Sequence, residues 1–246
     1  MSARPAAGAE AIVALDYSDA AAALAMVDRL RGHCGFFKIG HELFTANGPR
    51  IVEEVRGRGA DVFLDLKFHD IPNTVRGGVR SAASLGVRLV TVHASGGAAM
   101  LEAAVHGAGD ACGVLAVSVL TSLTALELAD AWGRREVDVA DEVLRLAALA
   151  DTAGVHGLVC SGQEASRVRE RLGDRLALLI PGIRLAGGAT HDQARVVTPE
   201  AAIAAGARYL VLGRAVTGAA DPVAAMAAAR SRGRPEPDAV LSGSLA

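Results

Sequence analysis

The chain has 246 residues, of which 51% are hydrophobic and 21% charged, and its formal net charge at pH 7 is −2. This composition is typical of a folded domain and excludes an extended disordered chain. The small net charge gives no general attraction for nucleic acid or anionic membranes, so affinity for an anion must come from a local site.

The sequence contains no signal for a membrane or an oxidising compartment. No apolar run approaches the ~18 residues of a membrane span, and the N-terminal MSARPAAGAE lacks the apolar core of a signal peptide. The three cysteines, Cys34, Cys112 and Cys160, are odd in number and show no C-x-x-C spacing. We therefore expect a cytoplasmic protein with free thiols and with no membrane or nucleic-acid partner.

Short runs rich in β-branched and aliphatic residues recur along the chain and predict strands. They are AIVALD (11–16), GFFKIG (35–40), DVFLDLK (61–67), RLVTVHA (88–94), GVLAVSVL (113–120), GLVCS (157–161), LALLIPG (176–182) and RYLVLG (208–213). Stretches with helical periodicity lie between them. Ser18 or Asp19 can cap the first helix, and Thr198–Pro199 and Asp221–Pro222 can begin two later ones.

The alternation of strands and helices predicts the fold class. Strands that alternate with helices indicate βαβ units and a parallel sheet. Eight such units without a break in composition favour a single α/β domain, a closed (β/α)₈ TIM barrel. An open doubly wound sheet is the alternative. We predict an N-terminal tail at 1–10, the barrel at 11–230 and a C-terminal tail at 231–246.

The use of lysine in this chain is unusual. Of the 25 basic residues 23 are arginine, and the only lysines are Lys38 and Lys67. Arginine does not readily give up a proton, whereas lysine can be tuned to do so. Both lysines lie in predicted strands. We interpret them as functional positions at which an arginine could not replace the lysine. The alternative is chance combined with steric fit at two ordinary sites.

Polar residues close one predicted strand after another. In a barrel, catalytic groups project from the carboxyl ends of the strands. The residues at or near these ends are Asp16, Lys38, Asp65, Lys67, His93 and Thr121. Period-two alternation puts Asp65 and Lys67 on one face, with Lys38 on the neighbouring strand and Asp70 in the following loop. This pattern predicts a reaction site, and the alternative is a salt-bridge network that closes the barrel.

Two glycine-containing segments predict a phosphate site. They are IPGIR (180–184) and GR (213–214), and the loops after strands seven and eight of such barrels are where phosphate binds. Gly213 would let backbone N–H groups approach a phosphate, and Arg214 could bind its oxygens in a fork. Gly187 and Gly188 suggest a loop that closes over the ligand, unless that segment is an ordinary surface turn.

The chain resembles a known family. The segments ALD, FFKIG, FLDLKFHDIPNTV, VHASGG, VLTS, PGIR and VLGRAVT occur in this order in bacterial orotidine 5′-phosphate decarboxylases. The resemblance covers nearly the whole chain, from about Ile12 to Asp221. It implies a homodimeric carboxy-lyase of UMP biosynthesis that converts orotidine 5′-phosphate to UMP and CO₂ without cofactor or metal.

The resemblance also implies four catalytic residues. Lys67 would deliver the proton to C6 of the pyrimidine, and Asp65 would lie against the substrate carboxylate. Asp70 would reach into the site of the partner subunit. The alternating array of Lys38, Asp65, Lys67 and Asp70 would therefore be complete only in a dimer. His69 and His93, which lie near this motif, are expected to have supporting or structural roles.

Further residues are implied to bind substrate. Asp16 and Lys38 would bind ribose hydroxyls, with Thr74 contributing from the partner chain, and Thr121 would lie by the pyrimidine. The residues expected around the phosphate are Arg184, Gln193, Gly213 and Arg214.

Two other functions remain open from the sequence. Relatives such as 3-keto-gulonate-phosphate decarboxylase and hexulose-phosphate synthase carry D-x-K-x-x-D but use it with Mg²⁺. Such a metal site would require a carboxylate at the position of Lys38, because the lysine ammonium would repel Mg²⁺. A non-enzymatic nucleotide-binding barrel could keep the phosphate loops, but it would not require the Asp65–Lys67–Asp70 array.

Overall fold

The computed structural model describes residues 9–184 and 196–231. In this part of the chain eight parallel strands form a closed barrel in chain order, and the last strand pairs with the first. The strands are β1 (Glu10–Leu15), β2 (Phe36–Ile39), β3 (Asp61–Phe68), β4 (Leu89–His93), β5 (Gly113–Val117), β6 (Gly157–Val159), β7 (Ala177–Ile180) and β8 (Ala207–Leu212). The predicted TIM barrel is confirmed, and each predicted run overlaps one strand.

Helices follow the strands around the outside of the barrel. They are α1 (Ala20–Arg29), α2 (His41–Asn47), α3 (Arg50–Arg56), α4 (Pro72–Ser84), α5 (Ala98–Ala108), α6 (Ala125–Ala131), α7 (Val139–Thr152), α8 (Gly162–Leu172), α9 (Pro199–Ala204), α10 (Arg214–Thr217) and α11 (Pro222–Ser231), with a 3₁₀ turn at Ala94–Gly96. Among the described residues, no helix is both long and apolar enough to cross a membrane.

The predicted helix starts are confirmed by side-chain caps. Asp19, rather than Ser18, accepts hydrogen bonds from two backbone N–H groups in the first turn of α1. Thr198 accepts from the backbone N–H of Ala201 at the start of α9, and Asp221 does the same for α11. These caps satisfy N–H groups that have no partner within the helix.

The alternation of side chains along the strands divides the core into two layers. One layer fills the barrel and consists of Ile12, Ala14, Phe36, Phe63, Leu89, Leu115, Leu179, Tyr209 and Val211. The residues between them along each strand, such as Val13, Phe37 and Val90, belong to the larger layer beneath the helices. Two residues beyond the inward-facing Ala14, Phe36 and Phe63 lie Asp16, Lys38 and Asp65. By the same alternation, these side chains lie above the apolar interior at the carboxyl ends of the strands.

At the amino-terminal end of the barrel, Arg88 contacts residues of three strands. Its guanidinium lies 2.6 Å from Glu10 Oε2 and 2.9 Å from Asp61 Oδ2, and it stacks 4.7 Å from the centroid of the Phe36 ring. The network links residues at the amino-terminal ends of three strands. Asp16, Lys38 and Asp65 therefore lie at the end of the barrel opposite this network.

Candidate active site

A cavity of about 250 Å³ opens at the carboxyl ends of the strands. Its charged lining residues are Asp16, Lys38, Asp65, Lys67, Arg184 and Arg214, and Thr121 and Gly213 also line it. Apolar side chains such as Phe63, Val117 and Val211 form the rest of its wall. The structure therefore brings together eight of the residues that the sequence analysis selected.

Lys38, Asp65 and Lys67 form a chain of alternating charges in this cavity. The Nζ of Lys67 lies 2.9 Å from Asp65 Oδ1, and the Nζ of Lys38 lies 3.7 Å from Asp65 Oδ2. Lys38 also donates a 2.9 Å hydrogen bond to Asp16 Oδ1. The side chains of Lys38 and Asp65 are each 12% exposed, whereas that of Asp16 is 62% exposed. The charges of Lys38 and Asp65 are therefore buried more deeply than that of Asp16.

The environment of Asp65 keeps this carboxyl ionised. Burial by itself would raise its pKa, but the ammonium groups of Lys38 and Lys67 and the hydrogen bonds from Lys67 and Thr91 more than offset that effect. The net result is a pKa below the ordinary value of an aspartate. A fixed negative charge is thus held between two cations on the floor of the cavity.

The backbone at Lys67 departs from the regular strand that the sequence predicts. Its φ of +46° is the only positive value among the described residues other than glycine, and the pairing of β3 with β4 shifts register between Leu64 and Phe68. The Lys67 N–H donates a 2.9 Å hydrogen bond to Thr91 Oγ1 on β4. A left-handed conformation is costly for a residue with a side chain, and such strain is concentrated at functional sites.

Three of the four predicted phosphate-binding residues, Arg184, Gly213 and Arg214, line the cavity. Gly213 follows β8, and a Cβ added there would meet no atom within 4 Å. Arg214 begins α10, and Arg184 follows β7, where its backbone N–H donates to Val197 O at 2.9 Å. Gln193, Gly187 and Gly188 lie outside the described residues.

Asp70 and Thr74 do not join the cavity of their own chain. Both residues are exposed, and neither lines the cavity. Asp70 Oδ1 accepts a 2.6 Å hydrogen bond from the N–H of Ile71, and the Ile71 side chain is 69% exposed. A large apolar side chain thus projects from the surface between the two polar residues.

His93 ends β4, close enough to Lys67 and Asp65 for their charges to affect its pKa. Its ring lies 5.5 Å from that of His69, measured between centroids. Burial lowers the pKa of His93, and the nearby His69 and Lys67 lower it further. Among the described residues, no group of three or more His, Cys, Asp or Glu side chains is placed to hold a metal ion.

Thr91 is the polar residue of the site that the sequence analysis missed. It is fully buried and its hydroxyl donates a 2.9 Å hydrogen bond to Asp65 Oδ1. The sequence does contain a signal for this residue, because Thr91 is the one polar side chain inside the run LVTV. It also lies two residues before His93 and therefore on the same face of β4.

Comparison with known proteins places the chain in a family. A profile of the orotidine 5′-phosphate decarboxylase / HUMPS family matches residues 10–229. The chain belongs to this family. The matched region begins at the first residue of β1 and ends within α11, so the family domain is the barrel described above.

Individual relatives of the orotidine 5′-phosphate decarboxylase / HUMPS family cover nearly the same region. The orotidine 5′-phosphate decarboxylase of Alkalilimnicola ehrlichii is 52% identical over 219 residues, which are 88% of this chain and 92% of the relative. That of Halorhodospira halophila is 48% identical over 221 residues, with the same coverage. The crystal structure of the Lactobacillus acidophilus enzyme superposes with a TM-score of 0.81 at 36% identity, covering 91% of this chain and 98% of that one.

Proposed function

We propose that this chain catalyses the decarboxylation of orotidine 5′-phosphate to UMP and CO₂, a step of pyrimidine biosynthesis, without a cofactor or metal. The family profile by itself does not choose between its two named branches. The relatives at 48% and 52% identity, each named orotidine 5′-phosphate decarboxylase, support the first branch. The thiols of Cys34, Cys112 and Cys160 are not joined in disulfides, which fits a cytoplasmic setting.

One observation carries this proposal. The Lys67 ammonium lies 2.9 Å from a buried Asp65 carboxylate, with Lys38 on the other side of that carboxylate. Loss of CO₂ from C6 of the pyrimidine leaves an electron pair on carbon with no adjacent carbonyl to delocalise it. A fixed ammonium beside that carbon supplies both a counter-charge and an acid.

The charge of the cavity fits a phosphorylated carboxylate substrate. Its described lining contains four cationic side chains, Lys38, Lys67, Arg184 and Arg214, against the two carboxylates of Asp16 and Asp65. The site is therefore positive, although the chain as a whole carries −2. A phosphate monoester carries about −1.5 to −2 at neutral pH, and a substrate carboxylate adds a further negative charge.

In the proposed reaction the bond between C6 and the carboxylate carbon breaks, and its electron pair stays on C6 as CO₂ leaves. Lys67 then transfers a proton from Nζ to C6, which gives UMP, and solvent returns a proton to the lysine. Asp65 lies against the departing carboxylate and holds the Lys67 ammonium in place. Both groups are fixed before substrate arrives, which lowers the cost of reorganisation.

Other residues of the cavity would bind and orient the substrate. Asp16 and Lys38 bind the ribose hydroxyls, and Thr121 contacts the pyrimidine. Phosphate binding by Arg184, Gly213 and Arg214, together with Gln193, supplies remote binding energy that aligns the ring for reaction.

We further propose that the working enzyme is a homodimer. Asp70 and Thr74 serve the site of the partner subunit, where Asp70 completes the charge array and Thr74 contacts the ribose. This assignment is supported by the exposure of both residues, by their absence from the cavity of their own chain and by the exposed Ile71 between them. Burial of Ile71 against a partner would contribute about 1.5–3 kcal/mol.

The test is a turnover assay in which the absorbance of orotidine 5′-phosphate is followed with purified protein. We expect loss of substrate absorbance, release of CO₂ and no change on addition of EDTA. Inhibition by EDTA that Mg²⁺ reverses would favour the metal-using branch of the family. Binding of nucleotide without any turnover would instead indicate a non-enzymatic barrel and contradict the proposal.

A further inference from the structure

Thr91 makes two hydrogen bonds that meet at one buried atom. Its side chain, on β4, is 0% exposed. Oγ1 accepts from the backbone N–H of Lys67 at 2.9 Å and donates to Asp65 Oδ1 at 2.9 Å. The same Asp65 oxygen accepts from Lys67 Nζ, also at 2.9 Å. Lys67 and Asp65 are therefore joined twice, once directly and once through Thr91.

The chemistry of the hydroxyl fixes the direction of both bonds. A backbone N–H can only donate, so Oγ1 must accept from Lys67 and its single proton is left for another acceptor. An ionised carboxylate can only accept, which makes Asp65 the receiver of that proton. The hydroxyl therefore has one arrangement in which both neighbours are satisfied.

The Lys67 backbone needs such a partner. At φ +46° this residue is in the left-handed region, and the register shift between Leu64 and Phe68 interrupts the regular pairing of β3 with β4. This part-buried N–H would lose its acceptor if the hydroxyl were removed. A residue held in a strained conformation persists only where its surroundings fix it.

We propose that Thr91 is a positioning residue, which holds the backbone of Lys67 and the carboxylate of Asp65 in the relative geometry that proton transfer requires. The proposal rests on the proposed function, since Lys67 and Asp65 are its reacting groups. Thr91 does not line the cavity, so it acts through these two neighbours and not by touching the substrate.

The first test compares Thr91→Val, which keeps the shape but removes the hydroxyl, with Thr91→Ser, which keeps the hydroxyl. We expect Thr91→Val to lower kcat on the order of 10- to 100-fold, because small misplacements of reacting groups have effects of this size. KM should stay within about threefold, since the contacts of the phosphate and ribose are intact. Thr91→Ser should restore kcat to within about threefold of the parent.

Ser118→Ala is the matched control. Ser118 is also buried, and its hydroxyl donates to Val159 O at 2.8 Å on the neighbouring strand. Its loss removes a buried hydrogen bond without touching Lys67 or Asp65. We expect a lower melting temperature with kcat near that of the parent, whereas an equal fall in kcat for both variants would reduce Thr91 to a structural role and overturn the proposal.

The second test observes Lys67 directly and does not depend on turnover. Lys38 and Lys67 are the only lysines in the chain, so protein labelled with ¹⁵N-lysine gives two backbone amide signals and two ammonium signals. Lys38→Arg assigns them by removing one of each. Thr91→Val should shift the Lys67 signals and speed exchange of its amide proton, and Thr91→Ser should return both toward the parent.

The outcomes separate the two proposals. A parent protein that does not decarboxylate orotidine 5′-phosphate contradicts the proposed function, while the Lys67 signals still decide whether Thr91 holds this lysine. Unchanged kcat or unchanged Lys67 signals in Thr91→Val overturn the positioning role. If Thr91→Val does not fold, amide exchange in the parent decides, because an unprotected Lys67 N–H would show that the Thr91 bond is absent.

Discussion

At the scale of single residues, the proposed chemistry depends most on Lys67. Its ammonium lies on the floor of the cavity, 28% exposed and 2.9 Å from Asp65. Its backbone is in the left-handed region, and its side chain lines the cavity. The proposed acid role requires more than charge at this position, because an arginine would carry the same charge but does not readily give up a proton.

Replacement of Lys67 by arginine tests the acid role. Lys67→Arg keeps the positive charge but removes a proton that can be transferred, and general acids contribute about 10²- to 10⁴-fold. We expect kcat to fall by at least about 100-fold while UMP still binds, as measured by turnover and by calorimetric titration. Activity within about tenfold of the parent would remove Lys67 from the acid role. Arg31→Lys, an exchange on an exposed side chain of 68% accessibility, is the control.

Arg214 is expected to contribute binding and not chemistry. Arg214→Ala should weaken binding of the phosphorylated substrate by about 10- to 100-fold, since a hydrogen bond to a charged group contributes ~1.5–3 kcal/mol. A substrate analogue without the phosphate should be affected little, because truncation of either partner removes the same interaction.

The control for Arg214 lies near the amino-terminal end of β8, the strand that precedes Arg214. Arg208 is the second residue of β8, and its guanidinium lies 5.7 Å from the centroid of the Tyr209 ring, in the region opposite the cavity. Arg208→Ala should leave KM for orotidine 5′-phosphate near that of the parent. Equal losses on phosphorylated and unphosphorylated substrates in Arg214→Ala would mean that the phosphate binds elsewhere.

At the scale of elements, the close packing of α4 against α5 holds the segment that carries Asp70 and Thr74. Gly107 on α5 permits this approach, because an added Cβ would lie 2.5 Å from the backbone oxygen of Arg76 on α4. Backbone at this distance has to move, since no side chain can rotate out of the way. The helices α4 and α5 follow β3 and β4, the two strands that supply Asp65, Lys67 and Thr91.

Gly107→Ala should therefore destabilise the protein. Overpacking of this kind costs ~1–3 kcal/mol, and most of that range lies above the ~1 kcal/mol that alanine gains over glycine within a helix. We expect a lower melting temperature in thermal denaturation. Gly35→Ala is the control, because an added Cβ there meets nothing within 4 Å, and its effect should stay within about 0.5 kcal/mol. Equal melting temperatures for the two variants would contradict this account of the packing.

At the scale of the whole molecule, the proposed site is completed by a second subunit. Lys67→Ala and Asp70→Ala should each be nearly inactive as pure homodimers. If each site takes Lys67 from one chain and Asp70 from the other, a mixed dimer has one site with both lesions and one with neither. Equal mixing makes half of the dimers mixed, so about a quarter of all sites become wild type in a two-fold dimer.

The measurement is activity after the two variants are mixed and allowed to exchange subunits. Recovery near one quarter of the parent activity is the expected result. If Asp70 served its own chain, every site would keep one lesion and mixing would restore nothing. Absence of recovery, with exchange proven by differently tagged subunits, would therefore show that the site is not shared.

The barrel and most of the candidate site could be predicted from the pattern of residues. Strands and helices alternate in local patterns, and parallel strands of a closed barrel bring their carboxyl ends to one edge. The positions of Asp16, Lys38 and Asp65 follow from that rule, since each continues the inward-facing series of its strand. The scarcity of lysine, visible only in the composition, selected the two lysines that line the cavity.

The way in which Lys67 is held could not be predicted from the sequence pattern. Simple alternation predicts an extended residue, but the chain turns left-handed there and its N–H bonds to Thr91, 24 residues away in sequence. The exclusion of Asp70 and Thr74 from their own cavity is likewise a matter of where the loop after β3 leaves the barrel. Local periodicity reports which face a side chain takes, whereas the Lys67–Thr91 contact exists only once β3 and β4 pair in the folded barrel.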